Sequence, residues 1–154
     1  MGDISGSHSL EIDAPVERVF AIAADVERAP EWQGAMKSAR ALERDAAGRP
    51  SLVDTELDSS VAKHRLKLRF AYDEPRGMTW ERESGDLKAL DGAWRFEDLG
   101  DGRTRATYSL DIGLNRALSL VAKTVQAPAR ARVEALLAHR PVEGLKRRAE
   151  GDGA

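Results

Sequence analysis

The chain of 154 residues has no cysteine, which excludes a disulfide scaffold, a thiolate nucleophile and a cysteine-ligated zinc or iron–sulfur site. It has three histidines, His8, His64 and His139, set far apart with no ligand spacing, so no metal is expected. No apolar run reaches the roughly 20 residues that span a bilayer. Residues 1–9 are polar and rich in Gly and Ser, without the apolar stretch of a secretory signal, and the expected location is cytoplasmic. There is no G-x-G-x-x-G, no P-loop and no G-x-S-x-G, so neither a nucleotide cofactor nor an elbow nucleophile is expected. Aromatic residues are scarce: three Trp, two Tyr and three Phe.

What remains is globular in character, with 42% apolar and 32% charged residues. The length suits one domain, placed at residues 7–150 with flexible ends at 1–6 and 151–154. Charge is uneven. Lys and Arg total 24 and Asp and Glu 26, but after residue 114 the counts are 8 and 4, so the last segment is basic. Basic helices can face nucleic acid or anionic lipid, but cations also favour helix C-termini. Without aromatic or RNA-binding motifs beside the charge, a nucleic-acid partner is not expected. A monomer or weak dimer is expected.

The patterning alternates with period two over most of the chain. His8–Ile12 reads as a strand. Asp13-Ala14-Pro15 then starts a helix, with Val16, Val19, Phe20 and Ala23 at helical spacing. Pro30-Glu31-Trp32 marks a second short helix or turn. Strands are predicted at Met36–Arg44, Ser51–Val61 (Val53, Thr55, Leu57, Ser59 and Val61 on one face), Ala62–Tyr72, from Met78, Leu87–Asp98 and Arg103–Ile112. Between the fourth and fifth strands, an antiparallel hairpin would set Arg69 near Glu81, Lys67 near Glu83 and Phe70 opposite Trp80. The remainder is helical, with stripes at Leu118, Val121 and Val125 and at Val133, Leu136 and Leu137. Pro128 and Pro141 must sit at helix starts or kinks, in two pieces or one bent helix. Seven strands with one apolar face, flanked by helices, make an α+β protein with an antiparallel sheet covered on one side.

Six of the eight aromatics (Phe70, Tyr72, Trp80, Trp94, Phe96 and Tyr108) fall in phase on the inferred inner face. Any one of them is ordinary core. The set, with Leu66 and Leu68, also suits an apolar ligand site with a few polar handles. His64 and Arg82 share that face, and Arg40 joins them if Leu42 points inward. An inward arginine needs an acid or a ligand oxygen. Asp98 lies in phase, and Asp91 is within reach if Gly92 carries a bulge. His64 reads as a rim or hydrogen-bonded histidine, or as a base. The candidate ligand-binding residues are thus His64, Leu66, Leu68, Phe70, Trp80, Arg82, Trp94 and Tyr108, with no catalytic set assigned.

The opening Leu10-Glu11-Ile12-Asp13-Ala14-Pro15-Val16-Glu17-Arg18-Val19-Phe20, the later Asp25 to Trp32, Gly92-Ala93-Trp94-Arg95-Phe96 and Gly102 to Tyr108 resemble polyketide cyclase/dehydrase and coenzyme-Q-binding proteins. These belong to the superfamily of START domains and birch-pollen-allergen-like proteins. The resemblance implies a helix-grip fold, a seven-stranded curved antiparallel sheet around a C-terminal helix with two short helices after strand 1. It implies a ligand between sheet and helix. Three functions follow as expectations: a carrier or binding protein for a lipid, quinone or polyketide; an aromatase/cyclase that uses an inward arginine, for which Arg82 is nearest by phase; or an interaction module built on the basic helix 116–148.

Overall fold

The computed structural model describes residues 4–58, 63–114, 116, 120 and 127–151, with side chains described for all of these except 127–136. The order is β1 (Ile4–Ile12), α1 (Val16–Ala24), a 3-10 helix (Val26–Glu31), β2 (Met36–Arg44), β3 (Pro50–Asp58), β4 (Lys63–Asp73), β5 (Gly77–Gly85), β6 (Ala89–Gly100), β7 (Arg103–Gly113) and α2 (Ala127–Glu150). All seven strands form one antiparallel sheet in the order β1-β7-β6-β5-β4-β3-β2. This is the helix-grip arrangement. The stripe made by Leu118, Val121 and Val125 falls outside the described residues. So do Ser59 and Val61 and the side chains of Val133 and Leu136.

β1 starts at Ile4, earlier than the alternation from His8 suggests, because Ile4 pairs with Ile112 and residues 4–6 join the ladder. Residues 4–6, expected within a loose N-terminal end, are part of this strand. In α1 the spacing of Val16, Val19, Phe20 and Ala23 buries one stripe, and Pro15 caps the helix with an extended backbone. Pro128 lies near the start of the described part of α2, and the helix continues through Pro141. Ala138, Val142, Leu145 and Ala149, at spacings of four, three and four, are buried and fix α2 against β1, β7 and α1. Gly144 is needed there, since a Cβ would strike the Trp32 carbonyl oxygen.

The hairpin between β4 and β5 pairs Phe70 with Trp80 and Arg69 with Glu81, as the pattern predicts. Lys67, however, lies opposite Ser84, not Glu83. A bulge between Lys67 and Leu68 places Leu68 opposite Arg82 and leaves one extra residue on β5. Glu83 instead takes two hydrogen bonds from Arg69, at 2.9 and 2.6 Å. The strand resumes at Gly85, whose φ of +124° and missing Cβ allow the close approach to Arg65 and Leu66.

Candidate functional site: the inner face of the sheet

Strand alternation delivers the predicted face. Leu66, Leu68, Phe70, Trp80, Trp94 and Tyr108 are all buried on the side covered by the helices. Their rings touch in sequence. Phe70 meets Tyr72 at 6.3 Å and Trp80 at 5.8 Å between centroids. Trp80 meets Tyr108 at 5.6 Å, and Tyr108 meets Trp94 edge-on at 4.8 Å. Trp94 stacks on Phe96 at 5.7 Å, and Phe96 meets Phe20 of α1 at 6.4 Å. Trp32 branches off Trp94 at 6.2 Å. All eight aromatics of the chain therefore form one connected network. Such contacts add about 0.5–1.5 kcal/mol each beyond area burial.

Two features hold this network together. Trp80 on β5 and Tyr108 on β7 are separated by β6, and they meet because the residue opposite Trp80 is Gly92. A Cβ at Gly92 would fall inside the indole of Trp80. At the far end the Arg49 guanidinium lies over the rings of both Phe20 (5.2 Å) and Tyr72 (5.5 Å), and it pairs with Glu74. The cation closes the network into a circuit. Tyr72 donates its hydroxyl to the Pro50 carbonyl at 2.6 Å. Burial, reinforced by the field of Asp45, pushes its phenol above the ordinary tyrosine range. Burial does the same to Tyr108.

The polar candidates sit at the opposite end of the sheet, where β3 and β5 end and β4 begins. His64 is half-buried opposite Leu57. Arg82 is half-buried opposite Leu68, and its Nη2 donates to the Gly85 carbonyl at 2.8 Å. Its Nε is buried and has no acceptor among the described residues. Neither acid expected for it is there. Asp98 accepts from Gly100 N–H at 2.9 Å at the distant end of β6. Asp91 is exposed opposite Glu81, because the register runs unbroken through Gly92. Arg40 does not join the inner face either: Leu42 faces solvent, and Arg40, with its side chain 74% exposed, pairs with Asp54 at 3.7 Å. The inner face thus grades from an aromatic end beneath α1 to a polar end with one incompletely satisfied guanidinium. Phe20, Trp32 and Arg49 join it from α1, the 3-10 segment and the β2–β3 turn. Only Phe20 carried a sequence signal, its place in the helical stripe of α1.

A family model described as polyketide cyclase/dehydrase and lipid transport matches residues 12–137. The chain belongs to that family. Solved structures share its fold. A START superfamily protein from Mycobacterium smegmatis superposes with a TM-score of 0.80 at 20% identity, covering 96% of this chain and 97% of that one. A Thermus thermophilus protein gives 0.77 at 22% identity, covering 97% and 99%. The Zhui aromatase/cyclase from a Streptomyces species gives 0.70 at 16% identity, covering 97% and 98%. No curated protein matches the chain. In this family member, no described helix is long and apolar enough to cross a membrane, and no described group of His, Asp and Glu is arranged to hold a metal ion.

Proposed function

We propose that the inner face binds a hydrophobic or aromatic small molecule of lipid, quinone or polyketide type, as a carrier or binding protein. The carrying observation is the pairing of a continuous aromatic network with the Nε of Arg82, which has no acceptor among the described residues, on the same face. Rings supply apolar contact area at little entropic cost, and a desolvated N–H without an acceptor is where a ligand oxygen would gain most. A hydroxyl, quinone or ketone oxygen on a flat apolar body fits both ends. Native mass spectrometry and thermal shift against a panel of fatty acids, quinones and polyphenols test this. A retained ligand or a concentration-dependent rise in Tm is expected. A panel without a binder would sink the reading.

A second reading rests on Arg82 alone. A guanidinium N–H aimed at a bound carbonyl would polarise it toward aldol closure, as an aromatase/cyclase requires. Turnover of a poly-ketone that Arg82→Ala abolishes while binding persists would favour catalysis; binding without turnover would favour the carrier. The third expectation, an interaction surface on the basic helix, is weakened on α2 by internal pairing. Lys146 donates to Glu150 and to the Glu11 carbonyl, and Arg148 pairs with Glu31. Binding to RNA or anionic vesicles that falls steeply with salt would revive it.

A further inference from the structure

A concavity lies outside the sheet, where α1, the 3-10 segment and α2 meet. It is an open groove of about 430 Å³ lined by Arg18, Ala21, Ile22, Asp25, Arg28, Trp32 and Arg148. Three separate elements each contribute one arginine. Two of the three are matched by acids: Arg28 to Asp25 at 3.6 Å and Arg148 to Glu31 at 2.6 Å. Arg18 has no acidic partner among the described residues. Its Nε donates to the Ala149 carbonyl at 2.9 Å, and its buried Nη2 has no acceptor among the described residues. The lining residues and their ion-pair partners therefore carry one uncompensated positive charge. Ala21, Ile22 and Trp32 supply an apolar wall. That wall is held in place, because Gly144 lets α2 close onto the Trp32 backbone.

The geometry points to a binding site for a small amphipathic monoanion, a carboxylate carried on a flat apolar body. The carboxylate pairs with the Arg18 guanidinium, the one cation of the groove without an acid among the described residues. The apolar body lies on Trp32 and Ile22. The charge excess of one selects a monoanion, and the apolar wall disfavours a fully hydrated ion such as phosphate. This site is separate from the inner face, although the indole of Trp32 also touches Trp94.

The test uses 2-naphthoate as probe, with 2-naphthalenemethanol and inorganic phosphate as comparisons. Binding is followed by calorimetry, and by NMR of the Trp indole and Arg Nε–H signals. Naphthoate should shift the Trp32 and Arg18 signals saturably and bind at least tenfold more tightly than either comparison compound. Arg18→Gln should weaken it at least tenfold. Because that change also removes the contact to Ala149, Ala21→Glu serves as a second variant: it places an acid in the groove from an exposed helix position and leaves Arg18 intact. It too should weaken binding at least tenfold. The proposal is overturned if Ala21→Glu binds naphthoate like the unaltered protein. It is equally overturned if the alcohol or phosphate binds as tightly, or if only Trp80 and Trp94 signals move, which would place the probe on the inner face.

Discussion

Replacing Gly92 by alanine probes the aromatic network at its narrowest point. Gly92 does not occupy the left-handed region, so alanine suits its backbone. In a strand that change alone would stabilise by about 0.5–1 kcal/mol, because glycine loses more entropy on folding. Against this, the new methyl would sit closer than 3.0 Å to Cε2, Cζ2 and Nε1 of Trp80, a distance that real Cβ atoms do not show. The indole must move, and it is confined by Phe70 on one side and Tyr108 on the other. Overpacking of this kind costs about 1–3 kcal/mol. The steric cost wins, with a net loss of about 0.5–2 kcal/mol, or roughly 1–8 °C in Tm for a chain of this length. Denaturant unfolding with the m-value checked gives the free energy, and near-UV circular dichroism reports the ring contacts. Combining the change with Trp80→Phe should recover part of the loss, because the smaller ring vacates the contested space, with a coupling of about 0.5–3 kcal/mol. Gly34→Ala is the control, since nothing lies within 4 Å of its added methyl. A Gly92→Ala protein as stable as the original, with an unchanged near-UV spectrum, would refute the account of the network.

Three further outcomes are expected. His8 and His139 stack at 3.6 Å between β1 and α2, and burial, then the His139 charge, hold the His8 pKa below its ordinary value against the opposing pull of Glu143. A depressed histidine pKa means the fold favours the neutral ring, so stability is complete above about pH 6.5 and falls as pH drops through the lowered value. His8→Gln should flatten that slope in thermal melts between pH 7.5 and 5, and an unchanged slope would exclude the pair as its source. Both tyrosines have pKa values raised by burial, so absorbance at 295 nm should show no tyrosinate forming near pH 10 while the protein stays folded. A normal titration of either would contradict its burial. Arg82→Met removes an unmatched donor, and its stability should stay within about 1 kcal/mol of the original, because the lost Gly85 contact and the relieved Nε offset each other; a loss of several kcal/mol would show that Arg82 holds the fold.

Much of the fold is legible in the sequence because its strands have one buried face. Period-two alternation fixes that face, and the order of hairpins follows from the turns. The register of Phe70 with Trp80 follows from the same argument. It fails three steps later at Lys67, since a bulge shifts pairing by one residue and only Gly85 hints at it. The inward direction of Arg82 is legible from phase. Its lack of an acid is not, because the positions of Asp91 and Asp98 depend on local geometry at Gly92 and Gly100. Trp32, Arg49 and the groove around Arg18 are assembled from segments that share no period, so no local pattern joins them. The His8–His139 stack is of the same kind, formed only when α2 docks on the edge strand.

The most direct test of ligand binding on the inner face is to follow the three tryptophan indole N–H signals by NMR during titration with a neutral aromatic diketone such as 9,10-anthraquinone. The account predicts saturable one-to-one shifts of Trp80 and Trp94, with affinity lowered at least tenfold in Arg82→Met. Absence of any shift at Trp80 and Trp94, or binding indifferent to Arg82, would contradict it.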